Sequence, residues 1–171
     1  ELLDALQGEL SASHRFVLDE LMRHIEEIEA RIDRFDARLL AGLESERDTL
    51  ALLQTIPGID QIGAAMLLVE IGADMDDFGS ADRLASWVGV CPGNNESAGK
   101  RKSGHTRKGN PYVRRLLCEF AHAASRTTSM FKSKFQALVV RRGYKRAIIA
   151  IGHKMLRTLF FMLKRREHYR D

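Results

Sequence analysis

The sequence predicts a mostly α fold, in which a long coiled-coil-like helix is followed by a compact helical domain containing a helix-hairpin-helix. Three observations carry this reading. Apolar residues recur at helical spacing along most of the chain, one seam keeps a seven-residue period, and no segment alternates convincingly in the manner of a half-buried strand. The 171 residues are enough for one sizeable core or two small ones.

Residues 1–9 read as the end of a helix, and Ser11 or Ser13 suits the cap of the next. Leu21, Ile25, Ile28, Ile32, Phe35 and Leu39 then follow at intervals of 4, 3, 4, 3 and 4, with charged residues between them. That is a heptad seam, and a single seam needs either its own chain or a second copy to cover it. Residues 1–44 are therefore assigned to assembly and 45–171 to a helical domain. A short helix is expected at about 45–55. It leads into IPGIDQIGAAMLLVEIG, and the two helices flanking this P-G-hydrophobic turn resemble a helix-hairpin-helix over about 50–72. Gly58, Ile59 and Ala64 fit that pattern, which makes Gly58 a candidate backbone contact to phosphate. Asp60 stands where the pattern has a second glycine. A carboxylate there repels phosphate, whereas at a helix start it is a good cap, so a purely structural hairpin is the competing reading.

Residues 73–80 form an acidic turn, and Ser80 suits the cap of a helix, ADRLASWVG, with Leu84 and Trp87 on its buried side. The polar segment 91–112 follows, CPGNNESAGKRKSGHTRKGNPY, with four glycines, two prolines and two serines. It reads as a loop. Beyond it Val113, Leu116, Leu117, Phe120 and Ala124 mark a helix opened by Pro111. A helix near 130–141 and a longer one near 144–164 complete the chain, the last with Tyr144, Ile148, Ile151, Met155, Leu159 and Leu163 on one face.

Composition narrows the function classes. No apolar run reaches the roughly 18 residues of a membrane span, so no membrane partner is expected. The acidic first residues do not read as a signal peptide, and the opening Glu reads as that of an excised fragment. Cys91 and Cys118 stand singly with no C-x-x-C, which argues against a disulfide framework or zinc knuckle and for a reducing cytoplasm. The net charge of +4 hides a division. Residues 1–96 carry 7 Lys and Arg against 20 Asp and Glu, a net of −13, and residues 97–171 carry 20 against 3, a net of +17. A half of that charge attracts polyanions, nucleic acid before all others. The alternative is a cationic face that neutralises the acidic half or an acidic protein partner.

Candidate catalytic groups are few. The basic half has only Glu119, Glu167 and Asp171, too scattered for a metal pair, and the acidic residues of the heptad helix suit a solvated face. Asp76 and Asp77 could hold a metal but read better as the acidic turn. No histidine pair has ligand spacing, and His105 is a lone loop residue able to touch phosphate or move a proton. Ser97, in NESAGKRK, is flanked by small residues and followed by Lys100, Arg101 and Lys102; Arg107, Lys108, Arg114 and Arg115 lie close behind. A serine that attacks a phosphodiester needs such neighbouring charge, a base and an open approach. The same composition equally suits a loop that only grips phosphate, and Ser103 is a second candidate.

The segments PGIDQIGAAMLLVEIG, FGSADRLASWVGVCPGNNESAGKRKSGHTRKGNPYVRRLL and RRGYKRAIIAIGHKMLRTLFFMLKRREHYRD resemble the C-terminal half of the IS-one-ten family of transposases, insertion-sequence recombinases guided by a bridge RNA. The resemblance covers about residues 10–171 and rests on the pattern W-x-G-x-x-P-G, S-x-G-K and R-K-G-N-x-x-x-R-R. It implies that Ser97 is the nucleophile, forming a covalent phosphoserine link to DNA. It implies DNA and guide RNA as partners, held in part by the cations just named, and assembly through the heptad helix as a dimer or tetramer. It further implies that magnesium belongs to an RNase H-like domain with four acidic residues. This stretch has none, so it is expected to be inactive in strand exchange by itself. A non-catalytic nucleic-acid-binding and oligomerisation module is the alternative.

Overall fold

The computed structural model of the chain describes residues 8, 10–91, 106 and 108–171, and the backbone of residues 95–97 and 100–103. It divides into two compact units, Glu1–Gly42 and Leu43–Asp171. The first is built on α1, Ala12–Gly42, about 46 Å long at 1.5 Å per residue. Ser11 caps it, its hydroxyl accepting the His14 N–H at 3.3 Å. No residue of α1 is buried, and the seam residues Leu21, Ile25, Ile28, Ile32 and Phe35 are all exposed.

The second unit holds α2 (Arg47–Gln54), α3 (Gln61–Ile71), α4 (Ala81–Val88), α5 (Pro111–Ala124), α6 (Met130–Arg142) and α7 (Tyr144–Arg165). It is mostly α, and α7 is the central element. It packs along α5 and α6 and also meets α2 and α4. Its inner face carries Ile148, Ile151, Met155, Leu156, Leu159, Phe160 and Leu163, all buried, and Gly152 lets the Leu117 backbone of α5 come close. The buried stripe of α5, Val113, Leu116, Leu117, Phe120 and Ala124, faces them. The start signals act as side-chain caps. Ser80 accepts the Arg83 N–H at 3.3 Å, and Ser129 accepts that of Lys132 at 3.4 Å.

Three expectations need correction. The 91–112 segment is more than a loop. Asn95–Ser97 (β1) and Lys100–Ser103 (β2) pair antiparallel as a small hairpin. Leu84 is buried but Trp87 is 42% exposed, because Ala81, Leu84, Ala85 and Val88 already fill the core face of the two-turn α4; its ring instead tilts against Phe78, centroids 5.5 Å apart. Tyr144 is also exposed. It opens α7 at the surface, where its ring meets the edges of Phe135 and His122 at 5.6 and 6.1 Å.

Candidate nucleic-acid interface

The hairpin rises from a narrow neck between the end of α4 and the start of α5. Gly109 makes the neck possible. A Cβ at this position would lie 2.4 Å from the Val88 carbonyl carbon and oxygen and 2.5 Å from the Gly89 nitrogen, so only glycine lets the strands of the neck touch. Asn110 fastens the same point in three directions. Its N–H donates to the Trp87 carbonyl at 3.1 Å. Its side-chain oxygen caps α5, accepting the N–H groups of Tyr112 and Val113 at 2.9 and 3.0 Å. Its side-chain nitrogen donates to Glu70 of α3 at 2.8 Å. The G-N of the R-K-G-N motif is thus structural, holding α3, α4 and α5 together beneath the hairpin.

Within the hairpin the register pairs Ser97 with Lys100, Glu96 with Arg101 and Asn95 with Ser103, with an irregularity between Asn95 and Glu96. Ser97 is the last residue of β1 and Lys100 the first of β2, so Ser97 stands at the tip with a lysine position opposite it. The side chains of Ser97, Lys100, Arg101, Lys102 and Ser103, and the whole of His105 and Arg107, lie outside the described residues. Lys108 is exposed at the neck, and Arg114 and exposed Arg115 stand in the first turn of α5. No acidic residue shares that turn. The helix dipole disfavours cations there.

Gly58 lies elsewhere. It has φ +89°, and a Cβ would sit 2.6 Å from the Phe120 carbonyl oxygen and the Ala124 nitrogen, near the C-terminal end of α5. Arg114 is six residues from Phe120 along that helix, about 9 Å by the helical rise. The structure therefore does not bring Gly58 to the hairpin neck. Asp60 caps α3 through the Gly63 N–H at 2.7 Å. The open groove beside this turn, about 460 Å³, has an apolar floor of Ile62, Met66 and Leu116 with Asp60 and Glu119 on its lining.

Among the described residues no group of three or more His, Cys, Asp or Glu is placed to hold a metal. Asp76 instead pairs with Lys164 at 2.8 Å, and Asp82 with Arg157. One contact escaped sequence reasoning. Cys91, at the foot of the hairpin, lies 3.9 Å from Nε2 of His153 on α7, and its sulfur is 3.9 Å from the Ser86 hydroxyl. Burial, and then the Arg157 charge, hold the His153 pKa below the usual histidine value, against an opposing pull from Asp82. The partners are 62 residues apart, and no local spacing links them. Cys118 is no thiolate candidate. Burial raises its pKa, with Glu119 adding to the shift and Arg114 opposing it.

Comparison with known proteins gives one family. The model described as the Transposase IS116/IS110/IS902 family matches residues 50–136, just over half of the chain. The chain is 29% identical over 173 residues to a Pseudomonas aeruginosa protein described as a "probable family 20 transposase", covering 98% of this chain and 48% of that protein. It is 28% identical over 144 residues to a Coxiella burnetii transposase for insertion sequence element IS1111A, covering 81% of this chain and 39% of the relative. A Mycobacterium paratuberculosis 42 kDa protein of insertion element IS900 matches at 28% over 152 residues, 86% of this chain and 37% of its own length. The chain spans about half the length, or less, of these relatives.

Proposed function

The chain belongs to the IS116/IS110/IS902 transposase family, and from that premise we propose that it is the serine-bearing part of a DNA recombinase, with Ser97 as nucleophile. The observation that supports this most is the hairpin register: Ser97 at the tip, Lys100 opposite, and Arg101 and Lys102 following in the same strand. In the proposed step the Ser97 oxygen forms a bond to a DNA phosphorus and the bond to one bridging oxygen breaks. The DNA strand leaves as an alcohol once it takes a proton, and the serine proton passes to a base. The product is a phosphoserine diester, which conserves the energy of the broken bond for rejoining. Lys100, Arg101, Lys102, Arg107, Lys108, Arg114 and Arg115 would stabilise the charge that grows on the non-bridging oxygens and hold flanking phosphates of DNA or of a guide RNA. Gly58 would touch phosphate only by a route past Asp60 and Glu119, so its part in the reading is secondary.

The described residues do not suit magnesium, since no carboxylate cluster is built among them. On this reading the metal and its acidic ligands would belong to the part of the relatives' length that this chain does not span. The exposed seam of α1 supports assembly of two or more copies. Among the described residues no helix is long and apolar enough to cross a membrane.

The test uses a full-length protein carrying this chain, with guide RNA, magnesium and labelled DNA. After denaturation, DNA bound covalently to protein is digested and the attachment located by mass spectrometry. An adduct at Ser97, lost in Ser97→Ala and kept in Ser103→Ala, is expected. Tight, salt-sensitive binding with no adduct would make the hairpin a phosphate grip and this chain a binding module.

A further inference from the structure

The α6–α7 pair carries a second basic face, remote in sequence from the serine hairpin. Between Glu119 and Glu167 the chain has twelve Lys and Arg and no Asp or Glu. Among the described residues, Arg157 and Lys164 of these twelve pair with carboxylates, those of Asp82 on α4 and Asp76 in the turn before it. Two placements in this stretch work against folding. Lys134 of α6 and Lys154 of α7 face each other across the helix pair; the contact with Lys134, then burial, then the Lys134 charge lower the Lys154 pKa. Lys145 and Arg146 occupy the first turn of α7, with no acidic residue and no side-chain cap, where the helix dipole repels them. Arg141 and Arg142 suit the dipole at the end of α6, but they bring two more charges to the same turn.

These charges share one strip. Lys134, Arg141 and Arg142 are related by seven and eight residues along α6, and Arg146 and Lys154 by eight along α7, so each set lies on one helix face. Only Gly143 separates the two helices, which pack on each other. The strip extends about 12 Å from the lysine pair to the turn, some three to four phosphate steps of one strand at 3.4 Å each. Lys134, Arg141, Arg142, Lys145 and Arg146 are exposed and Lys154 half-exposed.

We infer that this strip is a binding site for the phosphate backbone of duplex DNA, separate from the hairpin. The face offers a row of cations with no acidic residue in the stretch to neutralise them. Tyr144, an aromatic ring beside it, meets Phe135 and His122 edge-on. Charge complementarity therefore favours a paired duplex read without regard to sequence. The choice of DNA among polyanions rests on the transposase reading; the strip itself does not depend on Ser97.

The experiment measures binding of the 171-residue chain to a fluorescein-labelled DNA duplex of mixed sequence by anisotropy, between about 50 and 300 mM salt. The double variant Lys134→Gln/Lys154→Gln should lower the slope of log K against log salt by about two, and adding Arg141→Gln/Arg142→Gln by about four in all. Lys134→Arg/Lys154→Arg should restore the slope, which a merely structural role would not require. Melting temperatures report that the variants fold. An unchanged slope overturns the inference. So does a duplex RNA bound as tightly as DNA with the same loss, or a change of oligomeric state in place of DNA affinity. A parallel Lys100→Gln/Arg101→Gln/Lys102→Gln variant separates the two readings. If it alone loses affinity, the hairpin grip stands and the strip fails; if the strip variants alone lose it, the reverse holds.

Discussion

Replacing Asn110 by alanine should destabilise the second unit more than any loop position of its exposure would suggest. The substitution removes two hydrogen bonds that cap α5 and one that reaches Glu70 on α3. Loss of an asparagine cap costs about 1 kcal/mol, and a hydrogen bond to a charged group contributes about 1.5–3 kcal/mol. The sum, about 2.5–4 kcal/mol, corresponds to a fall in Tm of roughly 8–16 °C for a unit of this size. Thermal unfolding followed by circular dichroism measures it. Asn110→Asp sharpens the test. It keeps the cap and suits the helix dipole, but sets a carboxylate against that of Glu70. It should be destabilised as well, and Glu70→Gln should recover part of the loss in that variant while harming the parent. An Asn110→Ala protein that melts within about 2 °C of the parent would refute the account of the neck as a structural clasp.

Other outcomes follow from the same geometry. Gly58→Ala meets both a positive φ and the α5 backbone at 2.6 Å, and should cost at least about 2–4 kcal/mol in denaturant unfolding; a loss below about 1 kcal/mol would show that α5 yields to it. Ile25→Asp with Ile32→Asp on the exposed α1 seam should convert oligomers to monomers in sedimentation velocity, and an unchanged mass would remove the seam from assembly. His153 has a folded-state pKa below its unfolded value near 6.5, so the unfolded chain binds the proton more readily. Its contribution is complete above about pH 6.5 and is lost as pH falls toward the depressed value; His153→Gln should flatten Tm against pH in that window, and identical profiles would contradict it.

Much of the fold was legible because its helices obey local rules. Ser80 and Asp60 cap where short polar residues precede apolar periodicity, Pro111 opens α5, and the stripe from Val113 to Ala124 is core throughout. The hairpin was not legible. Its strands have no apolar face to alternate, and backbone pairing alone leaves no periodic trace in side-chain chemistry. Trp87 misled because hydrophobic size was read as burial on a helix whose inner positions were already filled. The candidate site was legible as a composition, serine among small residues and cations, but its support was not. That Asn110 reaches Glu70, or Cys91 reaches His153, depends on contacts across 40 and 62 residues, for which no spacing rule exists.

The closed neck also bears on how this protein can change. Gly109 packs directly on Val88 and Gly89, so two points of the chain about twenty residues apart meet here. For such an excursion the entropy of closure grows only with the logarithm of its length, about 0.6 kcal/mol per doubling. Val90 and Cys91 at its start are tied to the fold, the first buried in the core and the second against Ser86 and His153. Evolution can rewrite its other residues, or an engineer exchange them, as one cassette on an unchanged frame, provided these two and the glycine and asparagine at its base are kept.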